Sequence, residues 1–274
     1  MGDIHGAHKA LVQCLERSGF DKENDTLIQL GDIADGWSEV YECVDELLTI
    51  KNLIAIKGNH DDWFNEWAIK GSHPVSWAQG GEETLISYAF HADREISILR
   101  RMGGILTDLT FDDVNPKHLS FFNKQCHYYH DTNNNLVFVH GGFSSQHGIG
   151  HEPYSTNYWW DRTLWETAMM MRSMYKDRTD EITLPNRMKH HKEIFIGHTA
   201  TTNWQTDEEV SKDGIVLEKG IRPITVPLKG GNVWNLDTGA GGRNGKLTIM
   251  DVSTHEFWQS DLCGDLYPQE KGRW

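Results

Sequence analysis

The sequence predicts an α/β layered domain, on three observations. Short, largely apolar runs recur at Thr26–Leu30, Leu53–Ile56, Leu136–Val139 and Ile194–Ile196, each closely followed by Gly or His. Such runs suit strands covered on both faces. Amphipathic patterns at His8–Ser18 and Ser38–Ile50 predict helices, the second capped by Ser38. The order strand, loop, helix, strand then gives layers of helix on sheet. Ligands collect beyond the carboxyl ends of strands in open α/β sheets, and the chain places metal-binding residue types there.

In chain order, Asp3 and His5 lie in Gly2-Asp3-Ile4-His5-Gly6, ahead of the first helix. Thr26–Leu30 leads into Gly31-Asp32-Ile33-Ala34-Asp35, and Leu53–Ile56 into Gly58-Asn59-His60-Asp61. The stretch Asp62–Asp131 reads as a helical insertion over one side of the sheet, within a single domain spanning 1–274. It opens on a helix carrying Trp63 and Trp67, and Asn115-Pro116 starts another that runs to about Lys124. Leu136–Val139 precedes His140-Gly141-Gly142, and Ile194–Ile196 precedes Gly197-His198. Residues Ile224–Trp258 read as a terminal meander, with Arg243-Asn244-Gly245-Lys246 carrying the Asn-Gly signature of a tight hairpin.

Composition bounds the function. The chain has 274 residues, enough for a sizeable core, and a formal net charge of -14. So acidic a chain is ill suited to binding nucleic acid through its phosphates, although dications held by Asp residues would offset the charge locally. The cysteines Cys14, Cys43, Cys126 and Cys263 lack CxxC spacing, no run is long enough to span a membrane, and no signal-peptide pattern is present. Reduced thiols in the cytoplasm are the expectation, with no membrane partner.

The ligand types at these strand ends suit a pair of divalent cations. Asp3 and His5, two apart in an extended segment, point the same way and reach one ion. Asp32 can bridge both. One ion would take Asp3, His5 and Asp32; the other would take Asp32, Asn59, His140 and His198. Positions are left for water and substrate. His60 would protonate a leaving oxygen, with Asp35 fixing its tautomer. Oxygen and nitrogen ligands suit manganese first, and also iron with zinc, or nickel. Every ligand except those in the first segment follows an apolar run, so a further strand is expected ahead of Met1.

These segments, GDIHG, GDIAD, GNHD, HGG and GH in this order, resemble the calcineurin-like metallophosphoesterases, closest to the phosphoprotein-phosphatase branch that includes bacterial Ser/Thr phosphatases and symmetrical diadenosine tetraphosphatases. The stretch Trp77–Tyr88 and the segments Asp237-Thr238-Gly239 and Gly242-Arg243 also resemble bacterial members. The resemblance implies a four-layer sandwich of two mixed sheets flanked by helices. It also implies phosphoester hydrolysis by a metal-bridging hydroxide, and Arg162 as a phosphate-binding group. The chain departs from the branch pattern GDxxDRG, with Gly36 in place of the arginine and Trp37 in place of the glycine. Asp61 replaces a glutamate, and the GHxH form of the nuclease and purple acid phosphatase branches is absent.

The expected substrate is a phosphorylated protein, small molecule or nucleotide. A dinucleoside polyphosphate is the alternative, because Trp37, Trp63, Trp67 and Trp77 lie near the metal segments and offer stacking surfaces for a base. From another class, a metal-holding binding protein with little turnover fits the lost arginine. His190-His191 read as a solvated helix end, and His73, His127, His130, His147 and His151 have no ligand spacing.

Overall fold

Along the chain of this computed structural model come α1 (His8–Ser18), β1 (Thr26–Gln29), α2 (Val40–Leu48), β2 (Asn52–Ala55), α3 (Asn59–Lys70), α4 (Gly81–His91), β3 (Ile98–Arg101), β4 (Gly104–Thr107), α5 (Pro116–Lys124), β5 (Tyr128–Asp131) and β6 (Leu136–Val139). Then follow α6 (Asn157–Trp160), α7 (Thr163–Tyr175), β7 (Glu193–Ile196), β8 (Gln205–Val210), β9 (Val216–Pro223), β10 (Leu228–Gly230), β11 (Val233–Asn235), β12 (Thr248–Met250), β13 (Phe257–Gln259) and α8 (Cys263–Leu266). The structure describes residues 1–71, 77, 79–101, 104–175, 183–210 and 216–273; the expectation for His73 lies outside them.

The fold is mixed α/β. One sheet has the order β10-β11-β7-β6-β5; its inner pairs β11/β7 and β7/β6 are parallel and its outer pairs antiparallel. A second layer pairs β1 with β2 in parallel and β12 with β13 antiparallel. Met1 and Gly2 join these two pairs. The Met1 amine donates to Ile28 O at 2.8 Å, Leu30 N–H donates to Met1 O at 3.0 Å, and Gly2 N–H donates to Thr248 O at 3.0 Å. A cavity of about 290 Å³ lies beside this junction, between β1 and β12, lined by Thr26, Leu27, Ile28, Ile249 and Met250 among others.

Side-chain alternation places the layers. In β6, Val137 and Val139 face a core shared with Leu164, Trp165 and Ala168 of α7, while Leu136 and Phe138 face the other way. There Phe138 and Phe195 stack at 4.9 Å and meet Leu30, Ile56 and Leu236 between the sheets. Leu27 faces a third core with Leu11, Leu15, Val40 and Leu47 of α1 and α2. Alternate residues of one strand thus serve two cores, as the pleat requires. Helices lie outside both sheets, as the four-layer expectation has it.

The helix α1 has its expected bounds and buries Ala10, Leu11, Cys14 and Leu15, one stripe of a helix. The helix α2 is shorter than expected, and Ser38 does not cap it. The Ser38 hydroxyl donates instead to Glu270 at 3.0 Å, a contact from far along the chain that outcompetes the local cap. Asn115 does cap α5, accepting from Lys117 N–H at 3.0 Å. Between Asp62 and Asp131 the chain also forms the β3–β4 hairpin, and β5 joins the five-stranded sheet. Asn244-Gly245 forms a turn but no hairpin between strands. A Cβ at Gly245 would lie 1.8 Å from Gly239 O, so glycine there serves close backbone approach. Among the described residues, no helix is long and apolar enough to cross a membrane.

Candidate metal centre

The ends of β1, β2, β6 and β7 bring Asp32, Asn59, His140 and His198 together, and the Met1–Gly2 junction delivers Asp3 and His5. Ligand atoms of Asp3, His5 and Asp32 lie within 4.8 Å of one another, as do those of Asp32, His140 and His198. Asp32 is common to both groups. All five side chains are buried, as is Asn59.

Asp3, His5, Asp32 and His140 are each held by a partner that leaves another side-chain atom pointing inward. His140 Nδ1 donates to Leu30 O at 2.8 Å, which turns Nε2 toward the centre. That atom faces Asp32 Oδ2 at 3.3 Å and Asn59 Oδ1 at 3.1 Å. His5 Nδ1 donates to Ala34 O at 3.1 Å, which leaves Nε2 3.7 Å from Asp32 Oδ2. Asp32 Oδ1 accepts from His60 N–H at 2.9 Å, and Asp3 Oδ2 from His198 N–H at 3.0 Å. Their other oxygens, Asp32 Oδ2 and Asp3 Oδ1, are buried without a hydrogen-bond partner, as is His198 Nε2. Buried polar atoms are nearly always satisfied, so several orphaned acceptors facing one another fit a cationic occupant. Burial, reinforced by the carboxylates of Asp237 and Asp32, pushes Asp3 well above the usual carboxylate range. The site is overloaded with negative charge, which divalent cations would relieve.

The backbone is strained where these groups sit. His5, Asp32, Asp35 and His198 all have left-handed backbones, with φ of 52°, 55°, 70° and 69°. Non-glycine residues rarely adopt this region, and strain of this kind gathers at functional sites. Two glycines make room for the carboxylates. A Cβ at Gly58 would lie 2.1 Å from Asp32 Oδ1, and one at Gly197 would lie 2.0 Å from Asp3 Oδ1. Asp61 ties the loop down: its carboxylate accepts from Ile33 N–H at 2.8 Å, Ala34 N–H at 3.0 Å and Gln125 Nε2 at 2.8 Å.

His60 lies beside Asn59, its ring 5.0 Å from that of His5. Its Nδ1 pairs with Asp35 Oδ2 at 2.6 Å, and its Nε2 is buried without a partner. Asp35 Oδ1 accepts from Thr84 Oγ1 at 2.7 Å and Trp77 Nε1 at 3.0 Å. Burial disfavours both charged forms, raising Asp35 to about 8 and lowering His60 to about 3. Between these values one proton is shared in the Asp35–His60 bond, and His60 Nε2 keeps its own. Arg162, just beyond α6, donates to Thr199 Oγ1 at 2.8 Å.

Several sequence expectations are corrected. Trp37, Trp63, Trp67 and Trp77 are all buried in the core shared with α1 and α2, so they offer no stacking surface. His191 is not solvated: it is buried, and its Nε2 accepts from Ile149 N–H at 3.0 Å. Burial lowers it to about 4. Two groups near the centre escaped sequence reasoning. Asp237 is buried and raised to about 6 by burial, among the charges of Asp32 and Arg273. Arg273 Nη1 lies 3.0 Å from His5 Nε2. No spacing rule links Arg273 to a residue 268 positions earlier.

Residues 1–222 match the model of a family described as calcineurin-like phosphoesterase. Over 81 residues the chain is 31% identical to serine/threonine-protein phosphatase 1 of Salmonella typhimurium, a match covering 30% of this chain and 37% of that protein. The chain thus matches little more than a third of that relative's length. The solved structure of a putative diadenosine tetraphosphatase aligns over 94% of this chain and 90% of its own, with a TM-score of 0.53 and 15% identity, a likeness of fold.

Proposed function

Because the chain belongs to the calcineurin-like phosphoesterase family, whose members are metal-dependent phosphoester hydrolases, we propose that it hydrolyses phosphoesters with two divalent cations, manganese first among them. The observation that carries this reading is the convergence of acceptor atoms on Asp32 Oδ2 from two sides, His5 and His140. Asp3, His5 and Asp32 would hold one cation; Asp32, Asn59, His140 and His198 would hold the other. Bound there, the pair would supply positive charge for the phosphate oxygens and make water nucleophilic at neutral pH.

The remaining work falls to the chain's own groups. The Arg162 guanidinium binds a phosphate oxygen as a charge-assisted donor. His60 Nε2 gives its proton to the leaving oxygen, and Asp35 holds the ring and stabilises its charge. Asp61 is a positioning residue, fixing the loop that carries Asp32 and Asp35. The substrate is a phosphorylated protein or small molecule, handled by one domain spanning 1–274. The four cysteines, all free, support a cytoplasmic setting. A dinucleoside polyphosphate is the second reading. It is supported by Trp160, which is 40% exposed with its ring 6.0 Å from that of His198, and by the name of the similar solved structure.

The test is turnover of an aryl phosphate with added Mn²⁺, followed by a panel of phosphopeptides, nucleotides and dinucleoside polyphosphates. Chelator-sensitive hydrolysis is expected. Two bound ions without turnover of any substrate would leave the metal-holding binding protein as the better account.

A further inference from the structure

We propose that Arg273 binds the substrate phosphate as a second guanidinium beside Arg162. This rests on the hydrolase reading and names a substrate-gripping group that reading does not contain. The guanidinium is already at the centre, with Nη1 3.0 Å from His5 Nε2, the atom that turns toward Asp32. A cation held by His5 would sit beside this guanidinium, and so would the anion that the cation draws in. Arg162 and Arg273 are near enough that the charge of Arg273 adds to burial in lowering Arg162. Two guanidinium groups that repel each other gain from a shared dianion, and each can fork onto its oxygens.

The terminal segment is built to bring Arg273 there. Arg273 N–H donates to Gly241 O at 2.8 Å, and Gly242 and Gly272 form an antiparallel bridge. Gly272 has φ of 71° and lies against Trp37: a Cβ there would come within 2.9 Å of the indole and 2.7 Å of Gly241 O. Trp37 is fully buried, donates from Nε1 to Ala240 O at 2.7 Å and stacks on Tyr267 at 4.9 Å. Arg243 holds the carbonyls of Tyr267, Gly264 and Glu270, and Ser38 holds the Glu270 carboxylate. Trp37 thus serves as a seat for the segment. Position 36, which carries no side chain, has φ of 105°, and a Cβ there would lie 3.0 Å from His5 O. A side chain at 36 would take a strained backbone and press on the His5 carbonyl, so the loop favours glycine there, and Arg273 offers a guanidinium from another segment.

The probe is inorganic phosphate, titrated calorimetrically into Mn²⁺-loaded wild type, Arg273→Ala and Arg273→Lys, with bound ions counted in each. Arg273→Ala should weaken phosphate binding roughly 10- to 100-fold, the scale of a charge-assisted pair, with the ion count unchanged. Arg273→Lys, which keeps the charge without the fork, should fall between. KM for an aryl phosphate should rise in step. Unchanged phosphate affinity in either variant would overturn the proposal, as would weaker binding accompanied by loss of an ion. If Arg273→Ala does not fold, Arg273→Lys decides alone. A wild type that takes up no cations would instead overturn the hydrolase reading on which the proposal rests.

Discussion

Replacing Asp35 with asparagine should leave the protein folded and metal-loaded but disable proton transfer by His60. The Asp35 side chain accepts from two buried donors, Thr84 Oγ1 at 2.7 Å and Trp77 Nε1 at 3.0 Å, and shares a proton with His60 Nδ1 at 2.6 Å. Alanine would leave all three buried groups without their partner, at about 1–3 kcal/mol each, so roughly 3–9 kcal/mol against a typical total of about 5–15. Asparagine avoids this. The Trp77 indole can only donate, so the amide oxygen must stay with Trp77 and Thr84. The amide NH₂ then faces His60 and donates to Nδ1. His60 is locked as the neutral Nε2–H tautomer, with no carboxylate to stabilise a charged ring. The left-handed backbone at 35 suits asparagine as well as aspartate.

General acid catalysis contributes about 10²–10⁴-fold, or roughly 3–5.5 kcal/mol of barrier. Asp35→Asn should therefore lower kcat by about that factor on an alkyl phosphate. The fall should be much smaller on an aryl phosphate, whose leaving group needs little protonation. Steady-state kinetics on both substrates with Mn²⁺, beside a thermal melt, read this directly. Equal losses on the two substrates, or none on the alkyl ester, would refute the assignment of His60 and Asp35.

Two further predictions follow from the geometry. Gly58→Ala would put a Cβ 2.1 Å from Asp32 Oδ1, so the shared carboxylate must move, and metal affinity should fall at least about tenfold; unchanged Mn²⁺ binding would contradict the ligand role of Asp32. Burial alone would raise Glu193, but bonds from the Trp234 indole, Lys229 and His255 outweigh it and hold the carboxyl below its ordinary value. A depressed folded value means stability present above the unfolded value of 4.5 and lost as pH falls through the folded one. Denaturant melts should therefore show wild type more stable than Glu193→Gln near neutral pH, with the gap closing below about pH 4; a gap that stays constant would contradict the linkage.

The elements that order the ligands were legible because their signals are local. Leu136–Val139 has its expected bounds as β6, and β1 and β7 begin or end within a residue of theirs, each ending shortly before a residue that could ligate a metal. Pattern alone could not weigh contacts made across the chain. Ser38 carries a helix-cap signal but is claimed by Glu270, 232 positions away. Four tryptophans near the metal segments in sequence turn inward because the core beneath α3 and α4 takes them. The strand expected before Asp3 concerns residues ahead of Met1. Within the chain, Met1 and Gly2 bond to both β1 and β12, which fixes Asp3 and His5. Arg273 was illegible because its place depends on the seating of a segment against Trp37, a tertiary fact without a motif.

The central claim is that Asp32 is shared by two cations, and counting metal on the purified, Mn²⁺-saturated protein tests it most directly. Elemental analysis paired with anomalous diffraction should find two ions per chain about 3.5–4 Å apart, with Asp32 between them. One ion, none, or two ions that do not share Asp32 would contradict the account.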